Sequence, residues 1–401
     1  MIIKKSSIFY MIVFIALFKP FMLNYWPLLD NTFNIIKVLL FIFFTTVVLV
    51  RKIKGKFVLH RMSVLVILMH TTILVSTIHN HGNYYRWLIE MLGPVSIVLF
   101  LELYHKSITN IITTWFRLIL FFLSINLLTI LTGGIENADW LTDYFLGSKD
   151  LFTTVFPFYV FVIYLYGLFN HSYCKNLLVS YCLLNMVLSI LLTRSTTMLI
   201  QLIVFSFLWL FKDNGRIKKI SNYWIFLIVY IVGNVVLLSP QFWSQIWSFF
   251  DVAIEKGSGT LVARTRMWIG GLNIFWNNKM LGIGKITEDV FLENVENMTF
   301  HFQFHNQIVE YLATGGLALL SIYSLILIIS GININKIKET RFGYISTLIC
   351  FSLMLASLTS GIYSADFYFP FVMSAYFDYI NSKIKKNNFE NSKCTSMAFQ
   401  H

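Results

Sequence analysis

Long apolar runs separated by short polar breaks dominate the chain. Ser7 to Trp26, Phe33 to Val50, Met62 to Ile78, Ile111 to Thr132, Asn176 to Thr193 and Gly343 to Ile362 each approach the roughly 20 residues that cross a hydrocarbon core. Carried through the whole sequence, the pattern predicts spans near 8–26, 33–50, 62–79, 87–104, 111–132, 151–169, 176–193, 196–211, 222–239, 305–330, 343–362 and 367–381. The expectation is an all-α, polytopic membrane protein of about 12 transmembrane helices, forming a single domain over 1–401. Two breaks exceed what a connector needs, 133–150 and the large loop 240–304. The second mixes Trp243, Trp247, Trp268, Phe275 and Trp276 with charges, as a folded or interface-lying segment does. Within it Arg264, Met267, Trp268 and Gly271 recur at i, i+3, i+4 and i+7, which predicts a helix between Leu261 and Trp276.

Composition supports bilayer as the solvent: 57% of the 401 residues are hydrophobic, 12% are charged, and the mean hydropathy is +0.69. The net charge of +12 would suggest nucleic acid if it were spread evenly, but its placement follows the positive-inside rule instead. Alternate loops carry Arg51, Lys52, Lys54, Lys56 and Arg61, then Lys212, Arg216, Lys218 and Lys219, then Lys336, Lys338 and Arg341, with Lys383, Lys385 and Lys386 in the tail. The opposite loops hold Asp30, Glu136, Asp139, Asp143, Asp150, Asp251, Glu255, Glu288, Asp289, Glu293 and Glu296. This predicts an even number of spans, both termini in the cytoplasm, and 240–304 as an external loop. The N-terminal apolar run lacks a small-residue cleavage site and reads as the first helix. Cys174, Cys182, Cys350 and Cys394 fall in spans or on the cytoplasmic side, which argues against a disulfide framework.

Candidate chemistry concentrates late in the chain. ARTRMWIGGLNIFWNNKMLGIG from Ala263 is followed by HFQFHNQIVEYLATGGLALL from His301. Arg264 and Arg266 offer forked donors for phosphate oxygens, Trp268 and Trp276 offer flat faces for sugar rings or prenyl chains, and Gly282 and Gly284 permit a tight backbone return. His305, Asn306 and Glu310 enter the next span, where a carboxylate calls for a functional or paired role. Gly315 and Gly316 then allow close helix contact. Arg86, before the fourth span, is either an interfacial anchor or a cation for the same external cavity. Lys19, Lys37, Arg117, Glu90 and Glu102 fall in or near spans and are left unassigned. His301 and His305 are four apart and His79 and His81 share another external loop, but no carboxylate completes a standard metal motif, and neither metal nor cofactor is expected.

These motifs carry a resemblance. An arginine-bearing, Trp-containing segment, N-x-x-x-G-x-G at Asn278 to Gly284, and H-N-x-x-x-E-x-L-x-x-x-G-G at His305 to Gly316 resemble the O-antigen ligase and polymerase family. Members also carry an arginine at the external end of a middle span, which Arg194 fits, although Thr193 stands where Ser is commoner. The resemblance covers roughly Thr193 to Gly316. It implies a fold similar to the type C glycosyltransferases and an inverting, metal-independent glycosyl transfer at the outer face of the bacterial cytoplasmic membrane. The implied donor is an undecaprenyl-diphosphate-linked oligosaccharide, and the product an O-antigen or capsular polysaccharide. Arg194, Arg264 and Arg266 would stabilise the departing diphosphate, His305 or Glu310 would manage the acceptor proton, and Trp268, Asn306, Arg86, Gly282 and Gly284 would bind substrate. A chain-length regulator and a flippase are the partner proteins such a reaction brings with it; nucleic acid is not a partner.

Rival readings remain at this point. A ligase would use the same arginines to move the glycan onto lipid A core, and a flippase would share the span count and charge bias but needs two matched halves. For single residues the plainer readings are a solvated helix face for Arg264 and Arg266, headgroup snorkelling for Arg194, an interfacial cap for His305 and a structural pair for Glu310.

Overall fold

The computed structural model describes residues 5–55, 57–136, 142–147, 151–170, 173–193, 196–239, 258–287, 290 and 304–398. Helices follow the apolar runs: α1 (Lys5–Leu17), α2 (Pro27–Ile53), α3 (Arg61–His79), α4 (Tyr84–Tyr104), α5 (Ile108–Leu131), α6 (Phe152–Phe169), α7 (Tyr173–Thr193) and α8 (Thr196–Leu210). The short α9 (Gly215–Ile220) precedes α10 (Tyr223–Leu237), α11 (Ser258–Asn277), α12 (Gln307–Lys336), α13 (Arg341–Ser357), α14 (Ala365–Met373) and α15 (Phe377–Ala398). The described strands are a small hairpin, Ile135–Glu136 antiparallel to Thr142–Asp143.

Six stretches are long and apolar enough to cross a membrane: Pro27–Ile53, Arg61–His79, Tyr84–Leu131, Phe152–Phe169, Asn176–Thr193 and Gln307–Lys336. The third contains both α4 and α5. The chain is therefore a multi-pass membrane protein, helical in its described residues apart from the small hairpin, with α1, α8, α10 and α13 apolar but shorter. Where the apolar pattern runs past a helix end, the reason is local. Pro20 stops the first helix at Leu17 and the chain continues as a 3₁₀ turn, Phe21–Tyr25. The run 343–362 leaves its helix at Ser357, so 358–364 becomes a connector whose centre, Gly361 to Tyr363, is buried. These departures from ideal spans build the walls of the site described below.

The interior is aromatic. Trp115 packs against Phe14, Phe100 and Phe369 with ring centroids 5.3–5.9 Å apart, so α1, α4, α5 and α14 meet at one indole. Its N–H donates to the Tyr10 carbonyl at 3.1 Å, satisfying a donor that lipid would leave empty.

The basic loops gather at one end of the bundle. There the His60 N–H donates to Glu102 Oε1 at 2.7 Å, Lys383 Nζ and Tyr379 OH both reach the Lys106 carbonyl, and Lys218 pairs with Glu339. The connectors leading into α2, α4, α6, α12 and α14 lie at the other end.

Helix α12 is broken at that second end. Gly316 adopts φ 60°, ψ −155°, which opens the hydrogen-bond ladder of a helix long enough to span the bilayer. The segment just before it closes the gap: the N–H groups of Ile283 and Gly284 donate to the carbonyls of Ala313 and Thr314 at 2.9 Å each. In return, Leu317 and Ala318 donate to the carbonyls of Lys279 and Met280 at 2.8 and 3.1 Å. Such close backbone contact explains two glycines. A Cβ at Gly282 would sit 2.4 Å from the Ala313 carbonyl oxygen, and one at Gly316 would sit 2.5 Å from Met280 backbone atoms. Both also hold positive φ.

Candidate active site

Lys285 follows that interlock directly and is the least expected residue of the site. Its N–H donates to Thr77 Oγ1 at 3.0 Å and its carbonyl accepts from Asn83 N–H at 2.6 Å, tying it to the α3–α4 turn. The chain path carries its side chain into the protein, where it is only 2% exposed. Nζ lies 2.6 Å from Glu90 Oε2 and 3.2 Å from Glu310 Oε1, and sits 3.4 Å above the Tyr363 ring. Arg86, one turn before Glu90 on α4, donates from Nε to Glu90 Oε1 at 2.9 Å. The result is a chain of alternating charge, Arg86, Glu90, Lys285, Glu310, joining α4, the interlocked segment and α12.

Balance is what makes this tolerable in a bundle interior, because each carboxylate faces at least one cation and each cation at least one carboxylate. Tyr363, in the connector after α13, completes the arrangement as a neutral ring. Burial first, then the Glu310 and Glu90 carboxylates, hold its phenol well above the usual tyrosine range. Glu310 spends its other oxygen on the Phe304 N–H at 3.1 Å.

Asn306 is the N-cap of α12: Oδ1 accepts from Ile308 and Val309 N–H, and Nδ2 donates to Asn234 Oδ1 and the Leu358 carbonyl. It is fully buried and committed to holding three elements together. His305, immediately before, holds φ 48°, a conformation shared among described non-glycine residues only with His81. That sparsely populated geometry turns His305 outward from the cap, into the wall of a cavity.

The cavity measures about 840 Å³ and opens at the end of the bundle away from the basic loops. Arg86, Glu90, His305 and the connector Ser360–Ser364 line it, as do Lys19, Asp30, Asn34 and Lys37 and the first turns of α6 and α14. Its volume fits the range of small-molecule sites.

The structure brings together Arg86 and His305 among the residues singled out from sequence, with Glu310 joined to Arg86 through Lys285 and Glu90. Arg264 and Arg266 are not among the cavity-lining residues: on α11 Arg264 is half-buried and Arg266 exposed. The stripe predicted as a helix face is the packed face. Met267 and Trp268 are buried with Phe304, Val309 and Ala313, and Gly271 lets α11 approach, since a Cβ there would stand 2.4 Å from Val309 Cγ1. Gly282 and Gly284 are buried in the interlock. Arg194, His301, Trp243, Trp247 and all the acidic residues of the large loop lie outside the described residues.

Along the chain these parts follow in order: an arginine-bearing helix, a glycine interlock, then a histidine and cap opening a broken helix. Residues 181–324 match the O-antigen ligase family. No curated protein matches the chain. The O-antigen ligase match runs from α7 into α12 and takes in Arg264, Arg266, Lys285, His305, Asn306 and Glu310. It implies a membrane glycosyltransferase-like enzyme acting on a lipid-linked oligosaccharide. The part of the cavity wall built by α1, α2 and α4 falls outside the O-antigen ligase match, and so do Lys19, Lys37, Arg86, Glu90 and Tyr363.

Sequence reading missed Lys285 and left Lys19, Lys37 and Glu90 unassigned. A signal existed for the last three, since ionisable residues inside apolar runs are costly unless they serve a site. For Lys285 the only hint was its place beside G-x-G, in a segment polar enough to hide it.

Proposed function

We propose that this chain is a polysaccharide polymerase, joining undecaprenyl-diphosphate-linked oligosaccharide repeats at the outer face of the cytoplasmic membrane. The observation that carries the reading is the shared cavity wall of Arg86 and His305, at the bundle end away from the basic loops, in a chain with an O-antigen ligase match. In this reading both termini are cytoplasmic, about 12 helices cross the bilayer and the cavity faces outward.

The chemistry follows from charge. As the acceptor hydroxyl oxygen attacks the anomeric carbon, the bond to the diphosphate breaks and its electron pair leaves with the phosphate oxygen. A fixed guanidinium stabilises that growing charge more than the ground state. Arg86, oriented by Glu90, takes this role, with Arg194, Arg264 and Arg266 as further candidates for holding the glycan-linked diphosphate. The acceptor proton passes to the His305 imidazole, which lines the cavity wall. Glu310 is a positioning residue: its two oxygens are spent on Lys285 and the Phe304 N–H.

Reconstitution of the full chain with purified lipid-linked repeat tests the reading. The expected product is a ladder of chain lengths, absent with His305→Ala. Transfer onto lipid A core in place of self-extension would assign a ligase, and movement of labelled lipid across the bilayer without lengthening would assign a transporter. A normal ladder from His305→Ala would remove the proposed base.

A further inference from the structure

The cavity that Arg86 lines also holds a second group of polar residues, part of it inside the otherwise apolar α2. Asp30, Asn34 and Lys37 fall at i, i+4 and i+7 on α2, one face that continues downward as buried Leu40, Phe44 and Val48. Lys37 stands ten residues into α2, about 15 Å along its axis at ~1.5 Å per residue. Lys19, in the connector after α1, pairs with Asp30, and Asn34 Nδ2 donates to the other Asp30 oxygen at 3.2 Å. Among the described residues Lys37 has no ion-pair partner. The group therefore sets two lysines against one carboxylate of its own, and all of these residues line the same cavity as His305, Asp366 and the Arg86–Glu90 pair.

An excess cation at this depth is expensive without an anion to meet it. The anion has a route from the side: α2 exposes Leu28, Ile35, Leu39 and Ile42 on its outer face, so it borders the lipid. A ligand with an anionic head and a long apolar tail fits that setting.

We infer that Lys19 and Lys37 form a second anion subsite, which takes the diphosphate of the acceptor glycan lipid while the Arg86 side takes that of the donor. The inference rests on the polymerase reading, where both substrates carry a lipid diphosphate; a ligase needs only one such site. The two subsites face one cavity, so donor and acceptor glycans meet between them, near His305. Asp30 keeps Lys19 extended toward the cavity in the absence of ligand.

Native mass spectrometry of the full chain in detergent, titrated with undecaprenyl diphosphate, tests this directly. Wild type is expected to bind two molecules, Lys19→Gln/Lys37→Gln one, and Arg86→Gln one. Lys37→Arg is expected to restore the second molecule and Asp30→Asn to retain it, which separates loss of charge from misfolding. In the polymerisation assay, Lys37→Gln should raise the acceptor KM on the order of tenfold or more, leaving kcat at saturating acceptor little changed. Phosphatidylglycerol and lipid A, added as competitors, identify the headgroup: displacement of the second molecule by either at equal concentration would overturn the assignment to a diphosphate lipid. Two molecules still bound by Lys19→Gln/Lys37→Gln, or only one molecule bound by wild type and none by either variant, would overturn the second subsite while leaving the polymerase reading standing. No binding by wild type would remove both.

Discussion

Lys285 Nζ lies 3.2 Å from Glu310 Oε1, with both side chains no more than 3% exposed. This contact ties a loop segment to a membrane helix 25 residues later, and Glu90 of α4 joins from the other side.

Its energetic weight is asymmetric. Lys285→Met leaves the buried Glu310 carboxylate without its cation and Glu90 with Arg86 alone, and should lower stability by about 3–5 kcal/mol. Glu310→Gln leaves Lys285 its pair with Glu90 and keeps an acceptor for the Phe304 N–H, so its cost should be smaller. Thermal unfolding of the purified variants in detergent checks the order. Equal losses would show that Glu90 and Arg86 do not share the burden.

The glycines of the interlock should be separable from glycines that merely turn the chain. Gly282→Ala and Gly316→Ala combine a positive φ with a backbone clash, and should cut the yield of folded protein severely, each losing more than about 2 kcal/mol. Gly55→Ala has a similar φ of 64° but open space around its Cβ, and should cost about 1 kcal/mol. Fluorescence-detected size exclusion of tagged variants ranks them.

His305 offers a cleaner split between backbone and side chain. Both His305→Ala and His305→Gly should lower turnover by about 100-fold or more if the imidazole accepts the proton. The glycine variant relieves a φ of 48° and should be the more stable of the two by about 1 kcal/mol. Turnover retained by either variant would end the role of His305 as base.

Trp268 is only 3% exposed and packed among Met267, Ile274 and Phe304. Trp268→Ala should destabilise by about 3–5 kcal/mol, whereas Trp268→Phe should keep most of the packing and most of the activity. A large activity loss in a stable Trp268→Phe protein would return the indole to substrate contact.

Sidedness is open to a direct check in a background without native cysteines. Val58, 90% exposed beside the basic loop, and Tyr85, 71% exposed at the start of α4, lie at opposite ends of the bundle. On intact cells a membrane-impermeant maleimide should label Tyr85→Cys and spare Val58→Cys. The reverse pattern would invert the bundle.

The helical runs were legible because bilayer thickness imposes a length that apolar stretches such as Phe33 to Val50 reveal without help from neighbours. The site was legible only in part. His305 and Glu310 stood out as polar residues entering a span, and N-x-x-x-G-x-G announced close backbone contact, though not that its partner was the break in α12. Lys285 finds Glu90 nearly two hundred positions earlier in the chain, and no periodicity reports a contact of that range. Spacing puts Arg264, Met267, Trp268 and Gly271 on one helix face; packing with Val309 buries Met267 and Trp268 and leaves Arg264 half-buried, with Arg266 outside. A helix face predicted from spacing says which residues travel together, not which way they turn.

The break at Gly316 bears on how the protein is made. Four main-chain groups of α12 would enter the membrane unpaired, each at a cost of several kcal/mol, were it not for 279–284. That segment leaves the ribosome first. By the time α12 reaches the translocation machinery its missing partners have already been synthesised, so loop and helix are inherited as one cassette, and a chimera that exchanges either alone should stall during insertion.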